Sequence, residues 1–71
     1  MAENIVAPMV GKVTEVHVKP GDRVEEDDPI VTFEAMKMET PLGAPKSGVV
    51  KEVLVKPGQQ VEADTLLAVI E

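Results

Sequence analysis

The side chains with most to offer chemically stand together near the middle of the chain, in Glu34-Ala35-Met36-Lys37-Met38-Glu39-Thr40. Lys37 carries a primary amine, a group that can be acylated, and it lies between two thioethers. If the stretch is a strand, Met36 and Met38 share one face and Lys37 takes the other. If it is a turn, at least one methionine lies near the surface beside the amine. Methionines so placed make a soft apolar collar that a partner protein can read. Plainer uses compete: most lysines are simply solvated, and most methionines fill gaps in a core. Those two do not sit comfortably together over three consecutive residues. Thioethers also suit Cu(I), but nothing in the sequence brings His17 to this stretch, and His17 reads as an ordinary strand residue.

Little else in the chain is suited to catalysis, and no catalytic or metal-binding residues are assigned. Glu25, Glu26, Asp27 and Asp28 form an acidic run before a proline, the usual look of a solvated face. No nucleophile stands near an evident base, and no glycine loop has a phosphate-binding form. The chain has no cysteine, which removes disulfides and cysteine-based zinc sites. Its formal charge of −6, its scattered basic residues and its single aromatic, Phe33, argue against nucleic acid as a partner. No apolar run reaches the length of a membrane span. The start MAENIVAP lacks a basic region followed by an apolar one, which points to a cytoplasmic protein. Met1-Ala2 looks like a natural start and favours a small separate subunit.

The reactive stretch is framed by a repeat. Residues 7–34 fall on residues 44–71 without a gap when shifted by 37 positions, and half of the aligned pairs are identical. Val18-Lys19-Pro20-Gly21 meets Val55-Lys56-Pro57-Gly58, Gly11 meets Gly48, and Glu34 meets Glu71. Ala35 to Gly43 has no counterpart and forms the joint. Residues 1–71 therefore read as one small domain of two similar halves related by a pseudo-twofold axis.

Within each half the signals are those of short strands. Lys12–Val18, bounded by turn residues and rich in valine, is expected to be a strand. Its alternation slips: Val16 and Val18 share a face and Val13 takes the other, a slip repeated at Val50 against Val53 and Val55. A repeated change of phase points to a bulge or a twist. Val16 with Val53, and Val18 with Val55, are expected to be buried as matched pairs. Lys19-Pro20-Gly21-Asp22 and Lys56-Pro57-Gly58-Gln59 suit type II turns, with proline presetting φ and glycine accepting φ > 0. Val24 and Val61 suit very short strands. Asp27-Asp28-Pro29 and Ala63-Asp64 turn the chain again before closing strands over Ile30–Glu34 and Leu66–Ile70. Met1 to Asn4 reads as a loosely held end, and Ile5-Val6 as a short first strand. Prolines and glycines interrupt any helical run. The fold class is all-β, a sandwich or flattened barrel. The chain must reverse near Met36-Lys37-Met38, in a hairpin with Lys37 at its tip and without the Asn or Gly that two-residue hairpins prefer. Such local breaches of the rules mark functional sites.

With these residues in view, EAMKMET resembles the biotin-acceptor motif of biotin carboxyl carrier domains, in the biotin/lipoyl attachment family. The similarity runs from about Ile5 to Glu71 and includes the VKPGDRV and VKPGQQV turns. It implies a barrel-sandwich hybrid of two four-stranded antiparallel sheets with Lys37 at the exposed tip of a hairpin. It further implies that biotin is joined to Lys37, with Ala35, Met36 and Met38 as the flanking recognition motif. The implied partners are a biotin protein ligase, a biotin carboxylase and a carboxyltransferase. The domain would be a non-catalytic carrier of activated carboxyl in a carboxylase, transcarboxylase or decarboxylase. Some bacterial carriers of this family insert a "thumb" in the first half; the gap-free repeat leaves no room for one here. A lipoyl carrier is the nearest alternative, but its lysine usually follows an acidic residue and precedes a small one. An unmodified interaction module of the same fold is a third, and it has no reason to flank one lysine with methionines.

Overall fold

The computed structural model describes residues 2–71, so the expectation for Met1 falls outside the described residues. Eight strands follow one another: β1 (Glu3–Val6), β2 (Gly11–Val16), β3 (Arg23–Val24), β4 (Pro29–Ala35), β5 (Met38–Gly43), β6 (Gly48–Val53), β7 (Gln60–Val61) and β8 (Leu66–Ile70). They form two four-stranded antiparallel sheets, ordered β1-β8-β6-β3 and β5-β4-β2-β7. The two sheets enclose an apolar core in a flattened barrel-sandwich about 31 Å long and 17 Å across. Among the described residues no helix is long and apolar enough to cross a membrane.

The sheet orders translate into one another by the 37-residue shift, which is the pseudo-twofold expected from the repeat. β2, β3 and β4 correspond to β6, β7 and β8. The correspondence goes further than the sequence shows, because β5 also answers to β1. Phe33 pairs with Thr40 as Ile70 pairs with Glu3, and Val31 with Leu42 as Ala68 with Ile5. Thr40–Gly43 therefore belongs to the repeat, and the stretch without a counterpart narrows to the loop around Met36 and Lys37. Glu3 and Asn4, expected in a loose end, are instead held in β1 against Ile70 and Val69.

Proline and glycine shape the turns as anticipated. Gly21 and Gly58 have φ of 96° and 89°, and the Asp22 and Gln59 amides donate to the Lys19 and Lys56 carbonyls, each at 3.1 Å. The halves interlock through these turns. The Gly21 amide donates to the Val50 carbonyl at 2.8 Å, and the Gly58 amide donates to the Val13 carbonyl at 2.6 Å. The short strands likewise cross over, β3 onto β6 and β7 onto β2. Val24 and Val61 on them are buried.

The phase slip is a pair of matched bulges, between Val13 and Glu15 in β2 and between Val50 and Glu52 in β6. The bulges correct the burial expected for the valines. Val13 and Val50 are fully buried, whereas Val16, Val18 and Val53 are only half-buried against the core and Val55 is buried. The extra residue in each strand turns Val13 and Val16 toward the same interior, and the first of them takes the deeper place. Val50→Ala should therefore lower stability by about 1–3 kcal/mol through lost burial and the cavity left behind. Val53→Ala should cost clearly less, and paired thermal melts of the two variants test the difference.

Candidate functional site at the hairpin

β4 and β5 form the long hairpin of the molecule, paired from Pro29 with Gly43 to Ala35 with Met38. Between Ala35 and Met38 stand two residues, Met36 and Lys37, with φ of 54° and 65°. Two consecutive positive φ values define the type I′ loop whose twist suits a hairpin. Branchless but bulky side chains hold a conformation that ordinarily goes to Asn or Gly, at a cost of order 1 kcal/mol or more for each residue. The six-residue register below the loop fixes it in place.

The hairpin root is well held. Gly11 of β2 lies so close to β4 that an added Cβ would collide with the Phe33 ring and lie 2.5 Å from the Glu34 carbonyl oxygen. Phe33 is buried, and its ring fills the space left by the missing side chain. The Thr14 hydroxyl, at the bulge, lies 3.2 Å from both the Thr32 carbonyl oxygen and Glu39 Oε1, so it ties β2 across β4 to β5. Glu34 lies between Lys12 on β2 and Glu39 on β5, so one of its lateral neighbours offsets the like charge of the other.

Above this root the side chains are free. Met36 is 85% exposed, Met38 is 69% exposed, and Lys37 is exposed between them. No hydrogen bond or ion pair among the described residues holds the Lys37 amine. Both methionines therefore stand at the surface and neither fills the core. Ala35 is half-buried and closes the strand pair with Met38, so its part is structural as well as positional. His17 is elsewhere: its amide donates to the Ile30 carbonyl, and its Nε2 lies 2.7 Å from Thr32 Oγ1. It is brought to the middle of β4 and not to the hairpin tip. The four acidic residues from Glu25 to Asp28 form an exposed turn, with the Glu25 amide donating to Asp28 Oδ2 at 2.9 Å.

One feature beside the hairpin has no forecast in the motif. A shallow apolar hollow of about 370 Å³ opens next to Met36 and Met38, floored by Phe33 and Leu42 and walled by Met9. Its sequence signal was a mismatch in the repeat, Met9 against Lys46.

The family whose description is "Biotin-requiring enzyme", the biotin/lipoyl family, matches residues 3–70. The biotin carboxyl carrier protein of acetyl-CoA carboxylase from Solanum lycopersicum is 54% identical over 35 residues, 49% of this chain and 50% of its own length. The crystal structure of Kluyveromyces lactis urea carboxylase contains a region that superposes with a TM-score of 0.91 at 41% identity, covering 100% of this chain and 6% of that one. The lipoyl domain of the 2-oxoglutarate dehydrogenase complex from Azotobacter vinelandii gives a TM-score of 0.83 at 31% identity, covering 96% of this chain and 94% of that one. The matched stretch covers between 5% and 59% of the length of the curated relatives, 26% and 50% in two of them and 5% or 6% in the long carboxylase subunits.

Proposed function

Since the chain belongs to the biotin/lipoyl family of biotin-requiring enzymes, we propose that it is a single carrier domain whose biotin is joined through an amide to Lys37. The observation that carries this reading is the lysine's position: an amine with no partner among the described residues, in a type I′ loop between two exposed methionines. The amine suits acylation because it is exposed and because the paired strands β4 and β5 run up to the loop that carries it. The ammonium first gives one proton to a base of the biotin protein ligase. The neutral amine then attacks an activated carboxyl of biotin, and the C–N bond forms as the bond to the activating group breaks. That group leaves with the electron pair, and the second proton lost from nitrogen passes to the ligase or to solvent. The domain itself has no part in that proton transfer and acts as a substrate of the ligase.

When bound, biotin supplies a ureido nitrogen that holds a carboxyl group. The chain's contribution is mechanical: β4 and β5 hold the arm's root at the end of a narrow body that can enter a partner's cleft. Tethering keeps the cargo at roughly millimolar local concentration for each site the arm can reach. The partners on this reading are a biotin carboxylase and a carboxyltransferase, with the carrier itself non-catalytic and cytoplasmic. The fold is shared with lipoyl domains and does not separate the two cofactors; the Met-Lys-Met sequence favours biotin. Intact mass after expression with both ligases and both cofactors tests the choice. A lipoyl adduct on Lys37, or no adduct, defeats the proposal.

The methionines are expected to serve recognition and not the fold. Met36→Ala and Met38→Ala should each change stability by no more than about 0.5 kcal/mol, as exposed positions do. Carboxyl transfer to and from the attached group should slow, because partner enzymes meet a smaller apolar collar. Melting temperature, biotinylation rate and transfer rate measured on the same proteins check this. A large loss of melting temperature with unchanged kinetics would overturn it.

A further inference from the structure

The apolar hollow beside the hairpin is present at one end of the pseudo-symmetric molecule and is altered at the other. Met9, Phe33, Met36, Met38, Thr40 and Leu42 line it, and Thr40 is the only polar side chain in its wall. The 37-residue shift carries Phe33 onto Ile70 and Leu42 onto Ile5, so the floor is apolar in both halves. The walls differ. Met9 becomes Lys46, and Thr40 becomes Glu3. Two charged residues thus stand at the terminal end where the hairpin end has a thioether and a hydroxyl. The repeat serves as an internal control: the same framework carries two charged side chains at the positions where the hollow beside Met36 and Met38 has none.

From this contrast we propose that the hollow is a resting site for the ring of the lysine-bound group, a compact bicycle of largely apolar surface with one polar ureido edge. The inference rests on Lys37 being the biotinylated residue. Small-molecule sites are concave and mostly apolar, with a few polar groups that fix orientation, and Thr40 is placed to be that group here. Met36 and Met38 are at once the residues flanking the attachment point and part of the wall, so the arm starts one residue from the hollow. Lys37 itself lines the adjoining concavity with Lys12 and Glu34, and the arm must fold across Met36 or Met38 to bring the ring in. The affinity needed is small. At a roughly millimolar effective concentration, an intrinsic Kd near 1 mM, a weak contact by ordinary standards, is enough to seat the ring about half of the time. A ring held this loosely is shielded from solvent between visits and is released to a partner without a large barrier.

Methyl NMR of the methionines tests this directly, because Met9 lies far from Lys37 in sequence and reports on the hollow alone. The biotinylated protein is compared with the unmodified one, each verified by intact mass. The expected result is a shifted Met9 methyl signal in the biotinylated form and a nuclear Overhauser contact from that methyl to ring protons. Met9→Lys, which copies the residue that the fold already accepts at position 46, should abolish the ring's contacts with the Leu42 methyls while biotinylation proceeds. A protein carrying biotin by mass, with Met9 unchanged and no contact to the ring, overturns the resting site. Failure to carry biotin at Lys37 overturns the function proposal instead, so the two failures are told apart by the mass alone.

Discussion

Lys37→Arg should yield a protein with an unchanged melting temperature that accepts no biotin from the ligase. Both halves of that expectation come from the hairpin. The side chain at position 37 is exposed and bonds to none of the described residues, so its replacement removes no contact that the fold uses. Arginine keeps the charge and the length, but its guanidinium stays protonated and is a poor nucleophile toward an activated carboxyl. The loss of modification should be complete within detection, not partial. Streptavidin blotting and intact mass measure it, and biotin on the variant would sink the assignment. Exchanging residues 36 and 37, so that the amine moves one place along the loop, should also reduce modification strongly. The two positions of a type I′ loop project their side chains in different directions.

Gly11→Val should be the most damaging single substitution near the hairpin. The Cβ meets the Phe33 ring and the Glu34 carbonyl oxygen, and the second is backbone within a paired strand and cannot step aside. Overpacking of this kind costs about 1–3 kcal/mol, and sometimes more. For a domain of this size each kcal/mol lowers the melting temperature by roughly 4–8 °C. The strain falls at the hairpin root, so biotinylation should slow at temperatures where the variant is still folded. Gly48→Val meets the Glu71 carbonyl oxygen at 2.5 Å, the matching collision at the other end. It should destabilise the protein similarly yet leave the rate of modification of the folded protein unaltered. Equal kinetic effects from the two glycines would show that the root does not govern the tip.

The parts of this architecture that were legible in the sequence are those where one residue type has few alternatives. Pro20-Gly21 and Pro57-Gly58 announce their turns because few other residues accept those dihedral angles. The repeated slip at Val13 and Val50 announced a break in strand phase, a bulge or a twist, and the bulges in β2 and β6 are the form it takes. The hairpin was visible through a breach of the turn rules, since Met36-Lys37 has neither Asn nor Gly. The match of β5 with β1 was hidden, because Thr-Pro-Leu-Gly and Glu-Asn-Ile-Val share no identity. Edge strands are specified by backbone pairing and one inward residue, here Leu42 and Ile5, and the other positions are free to drift. The depth of Val13 relative to Val16 was hidden too: a bulge can be inferred from phase, but which valine goes deepest depends on packing across sheets. The hollow depended on Met9, whose meaning emerges only when the fold sets it beside the hairpin.

The crossing of the short strands has a consequence for how the chain reaches this state. β3 completes its ladder on β6 and β7 on β2, and each KPG turn anchors on the opposite half. A half synthesised first therefore has no complete sheet to form, and its earliest stable contacts wait for residues many positions downstream. Closure of long loops precedes any reward in hydrogen bonds or burial, which slows folding relative to helical domains of equal size, toward roughly milliseconds to seconds. The same interdependence makes the native state unfold as one unit. A cut in the loop between β5 and β6 should not release a folded half, only two chains that have structure when together and none when apart.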